Sequence, residues 1–113
     1  MAHYLAELYT PKQAWLDLPE EQRQRFLADV GSSMPALAAL GVEALALGKV
    51  DRSRLHSSKH AFFALWRCLD DAGLEALISG IAQSGWHDYF DTVNAGGEGV
   101  DFMGHLAQLS EAA

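Results

Sequence analysis

A chain of 113 residues, half of them apolar, can bury one hydrophobic core without help from disulfides or metal. Its 8 basic against 15 acidic residues, a net charge of -7, repel nucleic acid and anionic lipid, so neither is expected as a partner. The single cysteine, Cys68, excludes an internal disulfide and fits a reducing cytoplasm; with no basic region leading into an apolar stretch at the N-terminus and no run near the roughly 18 residues of a membrane span, neither export nor insertion is expected.

The stretch His3 to Tyr9 is short and aromatic-rich and stops at Thr10-Pro11, which predicts a strand and a turn. Thr10 with Gln13 has the spacing of a capping box with Pro11 at the first helical position, predicting one helical turn that carries Trp15. Asp17 and Glu20 repeat the signal, and Phe26, Val30, Met34, Leu37 and Ala38 then recur at helical spacing up to Gly41. Pro35 lies inside this stripe, so the helix is expected to kink or restart near Gly31 to Ser33. Gly41 suits a left-handed helix end, and Val42 to Leu47 reads as a second strand.

Residues 48–60 hold Lys49, Arg52, Arg54, Lys59, His56 and His60 against one acid, Asp51, and form a basic loop in an acidic protein. Ala61 to Cys68 is nearly continuous in apolar residues, the pattern of a strand covered on both faces. Asp70 caps a helix whose Leu74, Leu77, Ile78 and Ile81 mark one face and which ends at Gly85. Residues 87–94 supply a last strand, and Gly96, Gly97 and Gly99 read as a loose link to a tail helix from about Asp101 to Ser110.

Strand, helix, glycine, strand, repeated twice, is a βαββαβ pattern of the α+β class, and right-handed crossovers place both helices on one face of a four-stranded antiparallel sheet. The apolar residues on the other face then need a cover, for which the expectation is a homodimer packed sheet to sheet.

The stretches His3 to Lys12, Leu40-Gly41-Val42-Glu43, Phe62 to Arg67 and Ser84 to Asn94 together resemble a family of small ferredoxin-like proteins in the dimeric α/β-barrel superfamily. The resemblance implies a barrel domain over residues 1–95, with 96–113 a Gly-rich link and short C-terminal helix outside it. Superfamily relatives include cofactor-free monooxygenases, isomerases, haem-dependent enzymes and stress-induced proteins, so the resemblance implies a pocket and no single reaction.

In the ferredoxin-like strand order 4-1-3-2, Glu7, Tyr9, His60, His87 and Tyr89 gather at one end of the sheet, a set able to transfer protons at neutral pH if it converges on a pocket. Glu7, His60, His87 and Tyr89 are therefore the candidate catalytic residues; the competing reading leaves both histidines as solvated strand-end residues. At the other end stand Tyr4, Trp66 and Asn94, candidates to hold a flat carbonyl compound between an aromatic wall and an amide donor, although a strand tryptophan also suits a core or an interface. Strand parity stays open at this stage, because a slip of one residue turns every side chain to the opposite face.

No metal site is expected, since His56 and His60 sit four apart in a loop with no further ligands. Haem and nucleotide cofactors find no support either: the chain is shorter than haem-binding relatives, and no glycine-rich phosphate loop opens a helix. Two function classes remain. One is a cofactor-free enzyme or binder acting by proton transfer or oxygenation on a small aromatic or anionic compound; the other is a non-catalytic dimeric stress or interaction module whose barrel is filled by Phe62, Phe63 and Trp66.

Overall fold

The computed structural model describes residues 2–112. In chain order the elements are β1 (His3–Pro11), α1 (Gln13–Leu16), α2 (Glu20–Ser32), α3 (Met34–Ala39), β2 (Val42–Lys49), β3 (Phe62–Cys68), α4 (Asp71–Gln83), α5 (Trp86–Tyr89), β4 (Phe90–Glu98) and α6 (Phe102–Glu111). The four strands form one antiparallel sheet in the order β2-β3-β1-β4, the ferredoxin-like arrangement expected from the repeat. Among the described residues no helix is long and apolar enough to cross a membrane.

Local chemistry explains most boundaries. The long helical stripe breaks at Ser33, where Pro35 at the start of α3 cannot donate to the preceding turn, so α2 and α3 are separate helices. Gly41 takes the left-handed conformation, φ 82°, between α3 and β2, where a Cβ would stand 2.6 Å from that of Leu69. Asp70 caps α4 by accepting a hydrogen bond from the Gly73 N–H at 2.9 Å, and Asp101 does the same for α6 through Gly104 N–H at 2.7 Å.

Three boundaries differ from the sequence-based expectation. Thr10 caps nothing, because β1 continues through Pro11 and the Thr10 hydroxyl accepts from the backbone N–H of Ala61 instead. Asp17 likewise starts no helix: it closes the C-terminal end of α1, α2 begins after Pro19, and the Asp17 carboxylate accepts from the Gln13 side chain. Residues 86–89 wind into the turn α5, so the last strand starts at Phe90 and runs through Gly96 and Gly97, where glycines predict a link; the ladder to Tyr4 and Leu5 of β1 holds them extended.

The register settles which side each strand residue takes. Leu5, Glu7 and Tyr9 of β1 face the helices together with Ala64, Trp66 and Cys68 of β3, and the core of Leu5, Val42, Ala64, Trp66, Cys68, Leu74 and Leu77 forms there. Tyr4, Leu65 and Val93 lie on the outer face, 40%, 40% and 54% exposed, with no helix among the described residues packed closely over them. Phe62 and Trp66 point toward the helices, so of the three residues expected to fill the space between two sheets only Phe63 is on that side.

Candidate functional site

Between α3, α4 and the helix-facing side of the sheet lies a cavity of about 480 Å³. Its walls are mostly aliphatic and aromatic: Met34, Leu37, Leu47, Leu77, Ile81 and Trp86. Small residues make the room, since Ala44 and Ala64 floor it from β2 and β3 and Gly80 opens it on α4. A volume of this size suits a small organic ligand.

One ionisable group is buried in that setting. Glu7, 3% exposed, is the only buried polar or charged residue among the described residues, and it lines the cavity. Register explains its partner: Leu5 pairs with Trp66 and Glu7 with Ala64, so Trp66 is the diagonal neighbour of Glu7 on the same face. The Trp66 indole Nε1–H donates to Glu7 Oε1 at 2.7 Å, while Oε2 receives no hydrogen bond among the described residues. Burial pushes the Glu7 carboxyl above the usual carboxylate range, and the Trp66 hydrogen bond and the charge of His87 pull it back only in part. Tyr9, two residues on and also lining the cavity, has its phenol pushed up by burial and then by the charge of Glu7.

An aromatic cluster closes one end of this space. Trp86 stacks on Phe90 at 4.1 Å between ring centroids and meets Tyr9 edge-on at 5.1 Å, with Trp15, Phe26 and Tyr89 packed behind. The Trp86 indole N–H is satisfied by Thr92 Oγ1 at 3.2 Å, so this tryptophan offers a ligand its ring and no donor.

The residues expected to act together are partly separated. Glu7 stands in the cavity, and His87 is near enough for its charge to act on Glu7, although its side chain is exposed on α5 and does not line the cavity. Tyr89 packs between Trp15 and Phe26, outside the lining. His60 sits in the loop before β3, its Nδ1 2.6 Å from Ser58 Oγ, and contributes nothing to the cavity. The second set divides between the faces: Tyr4 pairs with Arg67 and points outward, whereas Trp66 points inward. Asn94 is directly opposite Glu7 on β4 and shares its face, but it is exposed at the sheet edge and outside the cavity lining.

Sequence reasoning assigned Glu7 and Trp66 to opposite ends of the sheet and missed their hydrogen bond. The signal was the spacing of Leu5, Glu7 and Tyr9 against Ala64, Trp66 and Cys68, legible only once the register is known. Among the described residues no three of His, Cys, Asp and Glu converge as metal ligands. Cys68 is fully buried, and its thiol is pushed up by burial and by the charge of Asp70, as suits a structural cysteine.

Comparison with known proteins agrees with the architecture. Residues 2–112 match a family of unknown function (DUF6616). No curated protein matches the sequence. Among solved structures, a mutant chlorite dismutase from Candidatus Nitrospira defluvii superposes with a TM-score of 0.64 at 9% identity, covering 92% of this chain and 43% of that one. A dabb family protein with a ferredoxin-like fold from Mesorhizobium loti gives 0.54 at 15% identity, covering 88% of this chain and 98% of that one. A VAO-type flavoprotein from Myceliophthora thermophila gives 0.53 at 15% identity over 95% of this chain but 19% of its own length. This chain thus spans less than half of the chlorite dismutase and about a fifth of the flavoprotein, and the likeness at these identities is one of fold.

Proposed function

The chain belongs to the DUF6616 family, whose function is unknown, and for this member we propose cofactor-free proton transfer on a small, mainly apolar aromatic compound bound between helices and sheet. The observation that carries the proposal is Glu7: an acid buried in an apolar cavity, one oxygen held by Trp66 and the other unbonded among the described residues. Burying such a group costs the fold stability, and the return is a base stronger than an exposed carboxylate.

Each neighbour then has a role. Trp66 fixes the Glu7 carboxyl and leaves Oε2 to meet the ligand; Trp86, Leu47 and Ile81 supply flat and aliphatic walls. Such a lining favours an aromatic ligand over an anionic one, because none of the described residues that line the cavity is a cation able to pair with a negative charge. Removal of a proton by Glu7 leaves an electron-rich carbanion or phenolate, which is the first step of either isomerisation or cofactor-free oxygenation. The working compartment is taken to be a reducing cytoplasm and the working unit a homodimer closed over the outer sheet face, where Leu45, Leu65 and Val93 are exposed.

The test uses a panel of phenols, hydroquinones and β-dicarbonyl aromatics. A compound held at 100 times its dissociation constant raises stability by about 2.7 kcal/mol, a clear thermal shift. For a β-dicarbonyl aromatic that binds, deuterium exchange from solvent into the acidic C–H between its carbonyls is followed by NMR with wild type and Glu7→Gln. Exchange is expected to slow by about 10²- to 10⁴-fold in the variant, as for loss of a general base. Equal exchange rates in the two proteins would reject Glu7 as the base, and no binder across the panel would reject the cavity as an aromatic site.

A further inference from the structure

We propose that α6 is an exchanged arm, seating its apolar stripe on the outer sheet face of a second copy of this chain. The inference rests on the homodimer just proposed and adds the element that holds it together. Two unpartnered apolar surfaces occur in one molecule. The first is α6 itself: Phe102, Met103, Leu106 and Leu109 are 74%, 69%, 41% and 59% exposed, none of the helix is buried, and among the described residues no element packs closely along it. Their spacing places them along one side of the helix. A helix of 10 residues is too short to be stable in water by itself, even with the Asp101 cap, so α6 implies a surface to pack on.

The second surface is a groove of about 430 Å³ on the outer side of the sheet, lined chiefly by Tyr4, Leu45, Leu65 and the stretch Ala95 to Gly99. Glycines keep it open: a Cβ on Gly97 would meet nothing within 4 Å. The link Gly99 to Asp101 is only three residues, so each α6 starts at the rim of its own groove. A two-fold axis near that rim lets both arms cross reciprocally, which is the self-complementary contact of a closed dimer.

Surface area fits a second copy as the occupant. A compact monomer of 12.3 kDa exposes about 6,100 Å². This chain exposes 7686 Å². The excess, about 1,600 Å², is roughly twice the 800 Å² or so that one partner contributes to a standard stable interface. Shape agrees, since the radius of gyration is 15.9 Å against about 13 Å for a compact chain of this length.

The test works on the full chain. Sedimentation equilibrium is measured on wild type and on the double variant L106E/L109E, whose changes fall on exposed positions; separately, chains carrying Leu65→Cys and chains carrying Leu106→Cys, differently tagged, are mixed and oxidised. A wild-type dimer, a dissociation constant at least 100-fold weaker in the double variant, and a disulfide joining the two tags support the exchange. A wild-type dimer unaffected by L106E/L109E and giving no inter-tag disulfide overturns the arm and leaves the sheet-face dimer standing. A wild-type monomer at 10 μM overturns both, and neither result bears on the ligand panel, which reads the cavity on the opposite face.

Discussion

Glu7 faces two opposed demands. An ionised carboxyl is the form that takes a proton from a ligand, yet burial favours the neutral form, so its pKa is raised. The sign for stability follows. A carboxyl with a higher pKa folded than unfolded stabilises the protein fully below its unfolded value, and that contribution is lost as pH rises through the folded value. Stability is therefore expected to fall with rising pH across the interval above the ordinary glutamate range, whereas proton-transfer activity rises across the same interval. Glu7→Gln keeps an oxygen for the Trp66 N–H and should flatten the stability profile in denaturant titrations at pH 4 to 8; an unchanged slope would show that Glu7 is not the titrating group. Trp66→Phe removes the donor from a buried acceptor, with an expected cost of about 1–3 kcal/mol. It should also push the Glu7 pKa higher still, visible as an upward move of the activity midpoint.

At the level of elements, the signals that held were those satisfied within a few residues. Asp70 caps α4 where the sequence places the cap, Gly41 takes the left-handed turn and Pro35 divides α2 from α3. Asp70→Ala is expected to cost about 1 kcal/mol by loss of the cap. Gly41→Ala should cost more, because strain of about 1–2 kcal/mol for a left-handed L-residue adds to a collision with the Leu69 side chain. Chemical denaturation orders the two variants, and a Gly41→Ala protein as stable as wild type would contradict the assigned backbone. Where the expectation failed, a longer-range contact won. Thr10 serves the ladder toward Ala61 rather than a helix, and the glycines at 96 and 97 are held in β4 by pairing with β1.

For the whole molecule, the two faces of the sheet have been given different work. The helix side holds a cavity and the core, while the outer side and α6 leave apolar side chains exposed on a chain whose total surface exceeds that of a compact monomer of its size. A dimer that forms only from folded chains gains stability by mass action, so Tm is expected to rise with protein concentration. Scans between 1 and 100 μM read this directly, and a Tm independent of concentration over that range would argue for a folded monomer.

What the sequence by itself determined is the order of the strands and of the helices other than the short turn α5, together with the repeat that arranges them, because periodicity, capping and turn preference act over a few positions. The tertiary structure alone decided which of those residues meet. Glu7 and Trp66 lie 59 positions apart and join only because β1 and β3 pair with Leu5 opposite Trp66. The same register sends Tyr4 to the outer face, and the route of the chain leaves His60 in a loop and Tyr89 inside an aromatic cluster. Alternation along a strand distinguishes two faces but does not say which is inside; that choice is made by non-local packing, which no local pattern encodes.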